Sequence, residues 1–236
     1  MSRADLVALS ACEVLAAFES KTVTPNEHLA ACLDEIARSN PKINALTAMD
    51  VTRATACAEA ATQRWQAGTP LDVLDGLPIG VKDLQDTQGL LTTHGSIRAR
   101  DHIPRTDLPM VARLRAAGAV ILAKTNVPEM GAGGNSRNPL WGATGNPFDA
   151  NLIAGGSSGG YAAALAANLL PPMHGLGYGW LTEDARSTVR DRWLSPFGGC
   201  DCSSNPAAGV VRHFCFGSNG THHGRPNTDV KCLSGV

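Results

Sequence analysis

The chain has 236 residues and a net charge of −1 at pH 7, and 43% of its residues are hydrophobic. This length suffices for one large domain or two small ones, and the balanced charge gives no reason to expect binding to nucleic acid or to an anionic membrane surface. No apolar run approaches the length of a transmembrane helix, and the N-terminus lacks a secretory signal layout, so a cytoplasmic location is expected.

The N-terminal third predicts helices and one strand. Thr24 suits the N-cap of a helix, Pro25 suits its first position, and Glu27 completes a capping box. Apolar positions at helical spacing precede this start, and an alanine-rich stretch follows it. In chain order the predicted elements are a helix in 5–19, a helix from residue 25, a strand at 43–49 and a helix at 51–67.

The middle of the chain alternates strands with helices. Leu77 to Val81 is a short apolar run that predicts a buried strand. Residues 107–117 predict a helix that leads into a strand at 119–123, an alternation typical of α/β domains. Residues 129–158 are rich in glycine, asparagine and proline and are expected to be mostly loop, before a helix at 160–170. The predicted fold class is therefore α/β.

The most informative segment is Ala154 to Gly160, which reads Ala-Gly-Gly-Ser-Ser-Gly-Gly. Glycines on both sides of Ser157 and Ser158 allow a tight backbone that holds hydroxyl and amide groups at a helix N-terminus. A helix N-cap in a flexible loop is the simpler explanation of the two serines. A phosphate-binding loop is another alternative, but the chain lacks the Gly-Lys-Ser/Thr ending of such loops.

A lysine stands at the end of the apolar run. Lys82 follows Val81 and precedes Asp83. A lysine in water titrates near ~10.4 and is a poor base at neutral pH, whereas burial lowers its pKa. The apolar run could supply such surroundings. Pairing with Asp83 at a strand end is the alternative, and on spacing alone it is the more common arrangement.

Together these segments resemble the amidase signature family, whose catalytic triad is Ser–cis-Ser–Lys. Similar strings occur in the family's order at Ala116 to Met130, Gly131 to Ser136 and Trp141 to Asp149. The resemblance covers roughly residues 5–171 and implies an incomplete amidase-signature domain, with a mixed sheet core flanked by helices. It also implies hydrolysis of the C–N bond of a carboxylic amide through an acyl-enzyme, with a small-molecule amide as substrate and no cofactor.

The resemblance implies a role for individual residues. Lys82 would be the base, and Ser157 would be the cis-serine that relays a proton between Lys82 and the nucleophile. Ser158 would support the loop through hydrogen bonds. Gly133 and Gly134 lie in a segment similar to the family's substrate-side loop, although a structural glycine turn explains them equally well.

The nucleophile of the family is missing from this chain. Its expected position is Leu181, which has no nucleophilic atom, and the family pattern stops after Pro172. Residues 175–186, back-translated with permitted codons and read one base later, give Gly-Ser-Asp-Thr-Gly-Gly-Ser-Leu-Arg-Met-Pro-Ala, which resembles the missing segment. Residues 217–224 give a second family-like string in the same frame. We therefore infer a one-base insertion near codons 171–172.

This inference divides the chain at residue 172. Residues 5–171 are expected to be the N-terminal part of the family domain, and 172–236 an out-of-frame, disordered tail. The chain as written is expected to be inactive. Two alternatives stay open: a non-catalytic fragment, and a relative of the amidotransferase A subunit that delivers ammonia to charged tRNA, because that subunit carries the same signature.

Cysteine and histidine residues give little reason to expect a metal. The cysteines before residue 172 fit reduced thiols buried as small hydrophobic residues, namely Cys12, Cys32 and Cys57. The tail has further cysteines and histidines, but Cys200 and Cys202 lack the gap of two to four residues usual between structural zinc ligands. His94 and His102 are interpreted as loop histidines. No metal site is predicted.

Overall fold

A computed structural model describes residues 1–149 and 152–171 of the chain. The predicted tail at 172–236, and with it Leu181 and the tail cysteines, lies outside the described residues. Within them the chain forms helices around a mixed sheet, which confirms the α/β fold class. No helix of the described residues is both long enough and apolar enough to span a membrane.

The described part contains six α-helices and five strands. The helices are α1 (Arg3–Ala8), α2 (Ala11–Glu19), α3 (Pro25–Ile43), α4 (Val51–Ala67), α5 (Pro109–Ala116) and α6 (Gly159–Ala166). The strands are β1 (Leu46–Met49), β2 (Pro78–Lys82), β3 (Val120–Thr125), β4 (Arg137–Asn138) and β5 (Gly142–Ala143). Two short 3₁₀ turns lie at Ile97–Ala99 and Glu129–Gly131.

The predicted helix in residues 5–19 is two helices. Ser10 separates α1 from α2 because its hydroxyl accepts a hydrogen bond from the Glu13 amide, and Glu13 accepts one from the Ser10 amide in return. Such a capping box starts a new helix even where apolar spacing continues. The predicted capping box at Thr24 is confirmed, since the Glu27 amide donates to Thr24 Oγ1 at 3.2 Å and Pro25 is the first residue of α3.

The main sheet has the order β1-β3-β2. Strand β2 is parallel to β3, with Lys82 opposite Thr125, and β1 is antiparallel to β3. Every residue of β2 and β3 is buried. Parallel pairing requires a crossover connection, and here the connection between the two strands includes α5.

The core lies on both faces of this sheet. Successive side chains of a strand point to opposite faces, and in β3 Ile121 joins one apolar cluster while Val120 and Leu122 join the other. The first cluster includes residues of α2, and the second includes Ala163 and Ala164 of α6. Helix α6 is therefore packed against the sheet, which brings its N-terminus towards the end of β2.

The cysteine prediction holds for one residue of three. Cys32 is buried in α3, but Cys12 and Cys57 are only partly buried, so the expectation that all three are buried is wrong. Cys57 is a partly buried residue packed against the second apolar cluster, and helical periodicity alone does not separate core from boundary positions. Cys32 and Cys57 are free thiols.

Candidate active site

Three predicted site residues meet where β2 ends and α6 begins. Lys82 is the last residue of β2 and only 3% exposed, and Ser157 and Ser158 directly precede α6. The Nζ atom of Lys82 donates hydrogen bonds to Ser157 Oγ at 2.8 Å and to Ser158 Oγ at 2.9 Å. One buried amine thus contacts two hydroxyl groups from a segment more than 70 residues later.

Burial lowers the proton affinity of the Lys82 amine. Removal from water disfavours the ammonium form, so the pKa of Lys82 is lowered from its ordinary value. A neutral amine has one lone pair and can accept a proton from a hydroxyl within hydrogen-bonding distance. The contact between Lys82 and Ser157 can therefore carry a proton in either direction.

Ser158 occupies the N-cap position of α6, but its side chain makes no capping hydrogen bond. Its hydroxyl contacts Lys82 instead. The N-cap explanation of the two serines therefore describes the position of Ser158 in the chain and not what its hydroxyl does. The peptide bond between Gly156 and Ser157 is cis.

Glycines of the segment Ala154 to Gly160, called here the serine loop, lie against backbone atoms. A Cβ atom on Gly156 would stand 2.9 Å from the Asn135 nitrogen, and one on Gly160 would stand 2.3 Å from the Asn126 nitrogen. Real Cβ atoms essentially never come closer than 3.0 Å to such neighbours. The loop therefore approaches both segments so closely that a side chain at either position would force them apart.

The loop with Gly133 and Gly134 lies beside the serine loop. The Ser136 amide donates to the Gly155 carbonyl at 2.9 Å, and the Gly159 amide donates to Ser136 Oγ at 2.9 Å. Gly133 has a φ of +148°, which favours glycine, whereas a Cβ atom on Gly134 would meet nothing within 4 Å. Ser136 is a residue that sequence reasoning did not single out, since only its membership of a family-like string marked it.

Asp83 organises the turn after Lys82. Its carboxylate accepts hydrogen bonds from the Thr93 amide at 2.9 Å and from Thr93 Oγ1 at 2.5 Å, and Trp141 Nε1 donates to the same hydroxyl at 2.9 Å. Burial raises the pKa of Asp83, while these hydrogen bonds oppose the increase. The carboxylate thus holds a second segment, residues 93–95, close to the candidate site.

The sequence profile of the family described as Amidase matches residues 27–177. The chain belongs to the amidase signature family. The match begins later than the resemblance at residue 5 and ends a few residues beyond Pro172, so it includes Lys82, Ser157 and Ser158 but not position 181.

Relatives of this chain include proteins named as an acylamidase and as a subunit of an amidotransferase. The A subunit of glutamyl-tRNA(Gln) amidotransferase from Azoarcus sp. (strain BH72) is 42% identical over 166 residues, which are 70% of this chain and 34% of that protein. The acylamidase of Rhodococcus erythropolis is 40% identical over 175 residues, covering 74% of this chain and 37% of the relative.

The solved structure of a bacterial aryl acylamidase of the amidase signature family has the same fold over the shared part. Its TM-score is 0.65 at 31% identity, and the match covers 69% of this chain and 34% of that one. The chain therefore spans about a third of the length of the curated relatives and structures it matches.

Proposed function

We propose that this chain derives from a hydrolase of carboxylic amides in which Lys82 is the base and Ser157 the proton relay. The hydrogen bonds from Lys82 Nζ to the two serine hydroxyls, at 2.8 Å and 2.9 Å, are the observation that supports it. Burial of the amine supports it as well, because a lowered lysine pKa increases the neutral fraction that can accept a proton.

The proposed reaction runs in two stages. Lys82 takes a proton from Ser157, Ser157 takes one from the nucleophilic serine, and that serine attacks the amide carbonyl. The proton returns along the same path to the leaving amine, and water then hydrolyses the acyl-enzyme. Ser158 would hold Lys82 in position from the other side, and Gly133 and Gly134 would line the substrate side. We propose no metal and no cofactor in this reaction.

The nucleophile is the part that we propose this chain has lost. Leu181 occupies the position, and codons for residues 175–186 can encode the family's Gly-Gly-Ser one base later. We propose that residues 5–171 are read in the family frame and that 172–236 are read out of frame. The nucleotide sequence tests this directly: the shifted frame should encode serine at position 181 and stay open well beyond residue 236. A stop codon soon after, or codons that give no Gly-Gly-Ser, contradicts the proposal.

The chain as written should not hydrolyse amides, because a missing covalent nucleophile removes several orders of magnitude of rate. Deletion of one base near codons 171–172 should restore turnover of an aryl amide, measured by release of the arylamine. In the restored enzyme, Lys82→Ala and Ser157→Ala should each lower the acylation rate by ~10²–10⁴-fold and change substrate binding less. Lys42→Ala, at an exposed lysine of α3, is the matched control.

Two outcomes would refute parts of this proposal. Turnover by the chain as written, abolished by Lys82→Ala, would show that Leu181 does not mark a lost nucleophile. Full activity of either the Lys82→Ala or the Ser157→Ala restored enzyme would remove that residue from the mechanism.

A relative of the amidotransferase A subunit is the second candidate, because a protein of that name is 42% identical to this chain. Such a protein would release ammonia to a partner protein rather than act alone. Co-purification of the frame-restored protein with other subunits, together with glutaminase activity, favours this candidate. Isolation as a single component that hydrolyses aryl amides favours the first.

We also propose a cytoplasmic location. The free thiols of Cys32 and Cys57 fit a reducing compartment. Cell fractionation with an epitope-tagged chain tests this proposal, and recovery in the periplasmic fraction contradicts it.

A further inference from the structure

A cluster of one carboxylate and two imidazoles lies outside the candidate active site. Asp86, His94 and His102 come from three separate turns between β2 and α5, and each offers one ligand atom within 4.8 Å of the other two. His94 Nε2 lies 3.6 Å from Asp86 Oδ1, and His102 Nε2 lies 3.5 Å from the same oxygen. The two imidazole rings are stacked with centroids 6.0 Å apart.

Backbone hydrogen bonds fix the position of each of these residues. The carbonyl of His102 accepts from the Thr92 amide at 2.9 Å, and the carbonyl of His94 accepts from the Met130 amide at 2.7 Å. The carbonyl of Asp86 accepts from the Leu108 amide at 3.0 Å. The three side chains therefore start from anchored points of the fold rather than from a free loop.

The carboxylate oxygen that faces both histidines, Asp86 Oδ1, lacks a hydrogen-bond donor. Asp86 Oδ1 is shielded from solvent and accepts no hydrogen bond within the described residues. A carboxylate oxygen in this situation loses hydration without gaining a hydrogen-bond donor, which is unfavourable. A cation bound at this oxygen would supply the missing partner.

Direct hydrogen bonds from the histidines to Asp86 Oδ1 do not fit the distances. A charge-assisted N–H···O bond measures about 2.7–2.9 Å, well below the 3.5 Å and 3.6 Å found between these atoms. The Nε2 atom of each imidazole can instead offer a lone pair to a metal ion.

The two distances from Asp86 Oδ1 to the histidine nitrogens are instead close to the edge length of a metal coordination polyhedron. Zinc binds histidine nitrogen and aspartate oxygen at about 2.0–2.2 Å, and in a tetrahedral site such bonds place neighbouring ligand atoms about 3.3–3.5 Å apart. The side chains of His94, Asp86 and His102 are 26%, 39% and 44% exposed, so an ion can reach them from solvent.

We propose that Asp86 Oδ1, His94 Nε2 and His102 Nε2 bind one divalent transition-metal ion of the zinc class, with water as the fourth ligand. The ion would supply the positive charge that the Asp86 oxygen lacks and would join three turns near Lys82. This site is separate from the proposed hydrolase chemistry and does not depend on it. It replaces the interpretation of His94 and His102 as plain loop histidines.

Titration of the full chain with ZnCl₂ after removal of metal by EDTA, followed by calorimetry, tests the proposal. The chain should bind one zinc ion at this site, and Asp86→Asn and His102→Gln should each weaken that binding by at least about tenfold. Asp101→Asn is the matched control, since Asp101 is an exposed carboxylate of the same segment. A tail variant that combines Cys200→Ser, Cys202→Ser, Cys215→Ser and Cys232→Ser separates this site from thiolates in the tail.

Thermal unfolding provides the second measurement. Zinc should raise the Tm of the wild-type chain and of the tail variant, because an ion that binds only the native state stabilises it. The increase should vanish in Asp86→Asn, which keeps the size of the side chain. The proposal is overturned if the wild-type chain binds no zinc at 100-fold molar excess, if both ligand variants bind it within tenfold of wild type, or if the tail variant loses it.

Discussion

Substitution of Gly160 by alanine tests the close approach that holds the serine loop in place. The added Cβ atom would stand 2.3 Å from the Asn126 nitrogen, 2.5 Å from its carbonyl oxygen and 2.8 Å from the Ala45 carbonyl oxygen. Favourable contacts between such atoms lie near ~3.5–4.0 Å, so the overlap with the Asn126 backbone is about 1 Å or more.

The overlap cannot be relieved by rotating a side chain. The Asn126 amide donates to the Ala45 carbonyl at 2.9 Å, and the Gly160 amide donates to the Asn126 carbonyl at 3.2 Å. Overpacking costs about 1–3 kcal/mol, and a buried hydrogen bond broken to make room adds about 1–3 kcal/mol. Alanine regains up to about 1 kcal/mol of helix propensity in α6. We expect a net loss of about 3 kcal/mol.

Thermal and urea unfolding measure this loss. A change of about 3 kcal/mol should lower Tm by roughly 6–12 °C for a domain of this size. Gly134→Ala is the matched control, because its Cβ atom would meet nothing within 4 Å. It should leave Tm nearly unchanged or raise it slightly. If Gly160→Ala is as stable as Gly134→Ala, the close packing of α6 against the Asn126 segment is not a feature of the native protein.

Two further predictions concern stability. Burial lowers the pKa of Lys124 from 10.5 to about 8. Between these pH values the unfolded chain therefore binds more protons than the native chain. The native state should gain about 3 kcal/mol of stability as the pH rises from 8 to 10.5. Urea unfolding should show this gain relative to Lys124→Met, in which the ionisable group is gone, and a pH-independent difference between the two proteins would contradict it. Thr24→Ala should destabilise the chain by about 1 kcal/mol because the Glu27 amide loses its acceptor at the start of α3. Thr52→Ala, at an exposed threonine of α4, should not, and an equal Tm for the two variants would show that the cap contributes nothing.

Elements with local signals were predictable from sequence. Thr24, Pro25 and Glu27 mark the start of α3 within a few residues of one another, and α4 was expected at 51–67 and lies at Val51–Ala67. The break between α1 and α2 was missed, although Ser10 and Glu13 carry the same type of local signal, because the apolar spacing runs across it. The two-residue strands β4 and β5 lie within the segment predicted as mostly loop, and they depend on pairing with each other rather than on any periodicity.

Sites formed by residues that are distant in the sequence were harder to predict. Nothing in the spacing of Lys82 and Ser157 indicates that they are neighbours, and only the family resemblance suggested it. The cluster of Asp86, His94 and His102 carries no such signal, since each residue is eight positions from the next and the turns meet through backbone hydrogen bonds such as that between Thr92 and His102. Short-range ligand spacing of the kind that marks zinc fingers is absent from this sequence segment.

Covalent labelling of the frame-restored protein tests the central claim most directly. A fluorophosphonate reacts with an activated serine nucleophile whatever the natural substrate, and peptide mass spectrometry identifies the modified residue. We predict modification at position 181 of the restored protein, slowed by ~10²-fold or more in its Lys82→Ala variant, and no modification of the chain as written. Two results would contradict the assignment of Lys82 and Ser157 as base and relay for a nucleophile lost at Leu181. One is labelling of the chain as written at Ser157 or Ser158. The other is labelling of the restored protein at position 181 that is unaffected by Lys82→Ala.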